Sequence, residues 1–433
     1  MKPDCRGPLV VAATFLLFGS FTSSRATAAN VPIYQFCAEQ SCGDGANPLS
    51  GATVDQSGNV FAAASSLGKS GGAIVMLQPN QNTYVSSVIH VFCSKDNCAD
   101  GQYPKGKLIT DVNGNVYGTA EVGGPSGGGL AYRLDVNTHG SQWKMDILYR
   151  FCTLADCTDG QSLSGGLTYQ GQNTGVPYDG VSPLYGTAFA GGAHNQGLVY
   201  QISFKGVKPV YKVLYDFCSK NSCTDGAGPQ SQVTIDRDGN IFGTTTYGGT
   251  GSNGGTVFEL SPVNGKYAET VLYSFCKVSK CGDGRAPIRN VVFDSKGNIY
   301  GATSGGGKGV RRDKGVLFKI KPKGAKSTEQ TVYQFCSTDL CADGSGPDGD
   351  LTIDGSDAVY GTTYLGGQFN RGVIYKIHGQ SESVVYSFCG QSKCSDGANP
   401  TGGITPDGSG NYFGTTYHGG NSADAGIVYK FTP

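Results

Sequence analysis

The sequence predicts an all-β fold, a seven-bladed β-propeller with four-stranded blades. Three observations carry this expectation. Sixty-nine glycines and 24 tyrosines stand against three methionines in 433 residues, a balance suited to short strands and tight turns because glycine is costly inside helices. A motif F-C-x4-C-x-D-G occurs seven times, for example FCSKNSCTDGAGP at 217–229 and FCKVSKCGDGRAP in the middle of the chain. Its first cysteines lie 53 to 66 residues apart, longer than common helical repeats and close to the length of a four-stranded blade.

The fourth repeat shows the parts of a blade. QVTID (232–236) turns through Arg237-Asp238-Gly239 into NIFGTT (240–245); the loop YGGTGSNGG leads to TVFEL (256–260), and SPVNGKYA leads to ETVLYSF (269–275). Short apolar runs bounded by Gly, Asn, Asp and Pro read as antiparallel strands. The segment VPIYQF (31–36) matches an outer strand alone, whereas GIVYKFTP (426–433) matches a third strand. An open solenoid would need polar capping repeats. A ring instead lets the N-terminal strand complete the last blade, so that no inner edge is left unpaired. Alternation then places the first-to-second and third-to-outer turns on one face. The second-to-third loops and the disulfide-motif loops share the other.

The first 28 residues carry Lys2 and Arg6, the apolar run PLVVAATFLLFGSF and the small residues Ala26-Thr27-Ala28, the pattern of a cleaved signal peptide. That run is too short to span a membrane, so the expected product is an exported protein, extracellular or periplasmic, with residues 29–433 as one propeller. No membrane span is expected in the mature chain. Thirty-three basic and 33 acidic residues balance, which argues against a nucleic-acid partner. Cys5 leaves with the signal. The other cysteines pair as 37 and 42, 93 and 98, 152 and 157, 218 and 223, 276 and 281, 336 and 341, 389 and 394; that is, Cys37–Cys42, Cys93–Cys98, Cys152–Cys157, Cys218–Cys223, Cys276–Cys281, Cys336–Cys341 and Cys389–Cys394. Metal binding would leave each pair two thiolates short of a closed shell, and export favours disulfides. Closing so small a loop contributes about 2 kcal/mol.

The succession LYSF, DG and P, IDxxGNIYGTT, GG and GTVFKL resembles the Gloeo/Verruco (GloVer) tandem-repeat family of exported bacterial proteins. The resemblance covers residues 31–433 and implies propeller-like repeats and an extracellular location, with no established chemistry. Two stretches depart from the pattern. Repeat one reads NVFAAAS (59–65) in place of YGTT, and repeat three carries the insertion GQNTGVPYDGVSPL (171–184) between its first and second strands.

A residue present in every blade is expected to do one structural job seven times. Asp44, Asp100, Asp159, Asp225, Asp283, Asp343 and Asp396, each followed by Gly, read as Asx-type turns. Asp236-Arg-Asp238-Gly-Asn240 copies the opening of a calcium loop, but Ile241 and Tyr247 replace its Gly and Glu, so a hairpin turn is expected. Of five histidines, His90 takes a tyrosine position, His378 ends a third strand and His139 lies in a turn. His194 and His418 fall on the disulfide face, and His418 with Asp424 is the acid–base candidate. No HExxH or phosphate-cradling motif occurs, and neither a cofactor nor a metal is expected.

Charge breaks the symmetry most strongly. From Cys276 to Glu329 there are 13 basic residues against four acids. Arg285, Arg289, Lys308, Arg311, Arg312, Lys314 and Arg371 are therefore the candidate anion site, with arginine suited to planar two-point contact with carboxylate or sulfate. The expected function is a binding or scaffold propeller for acidic polysaccharide or an acidic protein surface. Tyr247, Tyr364 and Tyr417 are placed either to stack on sugar rings or to pack on glycine loops. The alternative is a polysaccharide lyase or hydrolase at the channel mouth, which needs an acid–base pair within hydrogen-bond reach.

Overall fold

Seven antiparallel sheets follow one another along the chain and close into a ring, in a computed structural model that describes residues 29–38, 40–66, 71–136, 143–308, 313–324 and 326–433. The expected signal peptide lies outside the described residues. Blade four has its strands at Thr234–Ile235, Ile241–Thr245, Thr256–Val263 and Lys266–Ser274, in spatial order. In blades one, two and six a further three-residue strand, such as Ala46–Pro48, pairs with the second strand ahead of the two-residue first strand.

Closure follows the sequence expectation. Ala29–Gln35 is the outer strand of blade seven and pairs antiparallel with Ile427–Thr432; Pro32 lies opposite Tyr429 and Tyr34 opposite Val428. On the inner side of the same joint, the Thr415 hydroxyl donates to the Ser50 carbonyl at 2.6 Å and Thr401 to Pro48 at 2.9 Å. Blade seven thus meets blade one through strand pairing at its rim and threonine ties near the axis.

The YGTT residues explain how sheets pack side by side. Gly243 lies opposite Phe258, and a Cβ there would come within 2.6 Å of the ring. Gly118, Gly186, Gly361 and Gly414 stand in the same relation to Tyr132, Tyr200, Tyr375 and Tyr429. The first threonine of the motif then reaches the next blade: Thr119 donates to Gly165 at 3.0 Å, Thr187 to Ser231 at 2.9 Å and Thr244 to Arg289 at 3.1 Å. Blade one departs in a compensated way. Its Ala62 faces Val75, so the added methyl meets a smaller partner.

All seven predicted disulfides form within their own loop. Each loop holds three non-glycine residues in the left-handed region: both cysteines and the residue before the second, as with Cys218, Ser222 and Cys223 at φ 61°, 57° and 51°. Such conformations cost about 1 kcal/mol each or more and persist only where surroundings over-determine them. Here the disulfide and the following aspartate supply the constraint. Asp225 is fully buried and accepts from Ser219 N at 2.9 Å, Lys220 N at 3.3 Å and the Tyr215 hydroxyl at 2.8 Å. The structural role of these aspartates matches expectation, but their direction differs from an Asx turn: the carboxylate reaches back five and six residues rather than forward.

Candidate functional site

The disulfide loops and the second-to-third loops share a face, as alternation requires. The Gly249 amide donates to the Cys223 carbonyl at 2.9 Å, and Gly192, Gly307, Gly367 and Gly420 repeat the contact. Four of the predicted basic residues gather there. Arg285 forms a two-point pair with Asp313, Nε to Oδ1 at 2.7 Å and Nη2 to Oδ2 at 2.6 Å, and this pairing holds the Asp313 carboxyl down to about 2. Lys308 is exposed. Lys314 and Arg371 occupy equivalent places in adjacent blades: their backbone carbonyls accept from Gly346 N at 2.8 Å and Asn399 N at 2.7 Å, leaving the side chains uncommitted by these bonds. Among the described residues Lys308, Lys314 and Arg371 have no ion pair. Arg289 is placed apart from the others, on the axial bore, where it binds Asp348 Oδ1 through Nη2 at 2.7 Å. Arg311 and Arg312 lie outside the described residues.

The acid–base candidate is brought together. His418 Nδ1 stands 2.9 Å from Asp424 Oδ2. Asp424 also has a repeated duty: its Oδ1 accepts from Gly419 N at 2.7 Å, just as Asn195, Asn253, Asp313 and Asn370 accept from Gly191, Gly248, Gly306 and Gly366. The carboxylate is one of five loop clamps, with a histidine beside it. His90 is half-buried edge-on against Phe92, ring centroids 4.6 Å apart, and desolvation lowers its pKa against the opposing charge of Asp100. His194 and His378 are exposed, and His139 lies outside the described residues. Asp236 is the hairpin clamp expected of it, accepting from Asp238 N at 2.9 Å and Asn240 N at 2.8 Å. Tyr247 is 46% exposed and Tyr417 packs edge-on against His418.

The bore itself is asymmetric. Toward the disulfide face it narrows to about 20 Å³ between Lys107, Gln232, Arg289 and Asp350. Toward the turn face it widens into a cavity of about 540 Å³, within the range of small-molecule sites. The inner strands of the blades supply its wall, and the blade-three insertion supplies a unique sector through Gln172, Asn173 and Pro177. That insertion is anchored by Tyr178, which is fully buried between Tyr117 and Tyr169 at ring separations of 5.1 and 5.0 Å, and whose carbonyl accepts from Val112 N at 2.9 Å. Sequence reasoning concentrated on the opposite face and missed this hollow. The available signal was the insertion, since a segment between first and second strands must emerge on the turn face.

Together these features define a seven-bladed propeller whose disulfide face is clamped seven times and whose opposite end holds a ligand-sized hollow. The sequence matches the Gloeobacter/Verrucomicrobia repeat family over residues 177–342 and 270–433, more than half its length, and the chain belongs to that family. No curated protein matches it. Among solved structures it is similar to the PQQ-bound aldose sugar dehydrogenase of Streptomyces coelicolor, at 13% identity over 76% of this chain and 93% of that one, with a TM-score of 0.44. A protein from Lactobacillus plantarum gives 13% identity, 78% and 83% coverage and 0.45; puromycin hydrolase gives 10%, 85% and 50%, and 0.49. At these identities and scores neither sugar oxidation nor hydrolysis transfers to this chain.

Proposed function

We propose that the protein is a binding propeller that engages acidic polysaccharide through the cationic sector of its disulfide face. One observation carries this reading: Lys308, Lys314 and Arg371 have no carboxylate partner among the described residues, on a face whose loops are each fixed by a disulfide and an aspartate clamp. A surface held in one shape loses little conformational freedom on binding. Acids elsewhere in this sector are already committed, Asp313 to Arg285, Asp348 to Arg289 and Asp294 to Lys319, so the remaining cations are available to an outside anion. Export is part of this reading, supported by the seven disulfides, and the carbohydrate partner rests on the uncommitted cations alone.

The test is retention on an immobilised uronate polysaccharide across a salt gradient, with Lys308, Lys314 and Arg371 replaced together by Ala. Wild type should be retained and then released by salt, because exposed charge pairs are screened, and the triple variant should elute earlier. Equal elution of the two proteins would refute the assignment.

A further inference from the structure

The cavity at the turn end of the bore contains one cation, and its situation is unusual. Lys107 keeps part of its surface on the bore but is otherwise surrounded by protein. Among the described residues its ammonium has neither a hydrogen-bond partner nor an ion pair. Asp350 is the carboxylate whose charge bears on it, yet burial outweighs that attraction and lowers the lysine's pKa. An ammonium that faces the bore without a protein partner is open to a charge-assisted contact with an anion delivered there. The rest of the lining sets what that anion is attached to. Five carboxamides line the space: Gln56 and Asn173 make no side-chain hydrogen bond among the described residues, whereas Gln172 accepts from Thr168, Gln232 donates to the Leu167 carbonyl and Asn290 is held by Leu351. Gln56, Asn173 and the Gln172 amide nitrogen are therefore the groups open to hydroxyls. Three carboxylates, Asp55, Asp111 and Asp407, lie along the lining, each held by its own hairpin turn. Asp55 accepts from Ser57 N and Asn59 N, both at 2.8 Å, and Asp407 accepts from Ser409 N at 2.7 Å and Asn411 N at 3.0 Å. Tyr169 and Phe293 add flat apolar surface to the lining.

We propose that this cavity binds a short sugar acid, with its carboxylate on Lys107 and its hydroxyls on the Gln56 carboxamide and those of the blade-three insertion. The site is separate from the cationic disulfide face. A small uronate enters from the turn end, where the bore is wide, and stops at Lys107, where it narrows between Gln232, Arg289 and Asp350.

Titration calorimetry with digalacturonate and with a neutral disaccharide tests the ligand class. The expected result is one site per chain for digalacturonate, with binding of the neutral sugar weaker by about tenfold, the effect of losing one good charged contact. Lys107→Met should bring digalacturonate down to the neutral level, whereas the Lys308, Lys314 and Arg371 triple variant should bind it as wild type does. A second measurement needs no variant: acylation of Lys107 in the wild-type protein, followed by peptide mass analysis, should be slowed by digalacturonate and not by the neutral sugar. Absence of saturable binding, equal affinity for acid and neutral sugar, or unhindered acylation of Lys107 in the presence of digalacturonate would each overturn the proposal. Loss of digalacturonate binding in the triple variant alone would relocate the site to the disulfide face.

Discussion

At the scale of single residues, the glycine in YGTT is a packing residue whose requirement can be measured. Gly243→Ala should destabilise the fold by about 1 to 3 kcal/mol, the usual cost of overfilling a close-packed site, because the new methyl meets Phe258. Adding Phe258→Val should recover part of that loss in urea unfolding, since Ala62 and Val75 already form this pair in blade one; no recovery would mean the contact is not the cause. Tyr215→Phe should cost about 1.5 kcal/mol, the lower end for a hydrogen bond to a charged acceptor, with Asp225 keeping its two amide donors. The sequence made repeat one's departure legible, but not its remedy. Register between second and third strands has to be known before Val75 can be matched with Ala62. The aspartates were similar: repetition marked them as structural, while spacing alone could not say that their carboxylates point backward along the chain.

Between neighbouring blades, one position of the outer strand carries a pH dependence. Asn30 and Tyr211 occupy it in blades seven and three, and each donates to the backbone carbonyl of the preceding loop's aspartate, Asp396 at 3.1 Å and Asp159 at 2.7 Å. Glu269, Glu329 and Glu382 hold the same place in blades four, five and six, opposite Leu260, Ile320 and Ile377. Burial pushes Glu382 up to about 7, aided by the charge of Asp343, and burial likewise raises Glu329 to about 7. Folded protein therefore holds these protons more tightly than unfolded chain does, so their contribution is full at acid pH and declines as pH rises from about 4.5 to about 7. Asp159, Asp343 and Asp407 are shifted downward, and their contribution is lost instead as pH falls below about 4. Urea midpoints should accordingly pass through a maximum on the acid side of neutrality. Glu382→Gln should raise the midpoint at pH 7.5 and leave it nearly unchanged at pH 4.5; an equal effect at both would rule out ionisation as the cause. These glutamates were invisible to pattern reading. On a half-exposed outer strand a charged residue looks solvated, and only the adjoining blade's loop covers it.

For the molecule as a whole, rigidity is local and closure is global. Every disulfide closes a loop of six residues, so reduction should leave the sheet signal in circular dichroism intact while proteolysis at the seven loops accelerates; collapse of the sheet signal would show that the bridges hold the ring itself. The ring depends instead on residues 29–35. Removing them should expose the Ile427–Thr432 edge and abolish the single cooperative unfolding transition, because that strand loses its partner. Blade number and closure were readable because complementary fragments stood at the two extremities, and the cysteine spacing fixed the repeat. The hollow on the turn face was not, since it is a space formed between inner strands drawn from every blade. The joint between Pro32 and Tyr429 also has a consequence in time. A ribosome adding about 5 to 20 residues per second finishes the third strand of blade seven tens of seconds after it has made that strand's mate. The strand at residues 29–35 must therefore stay uncommitted while six sheets assemble behind it.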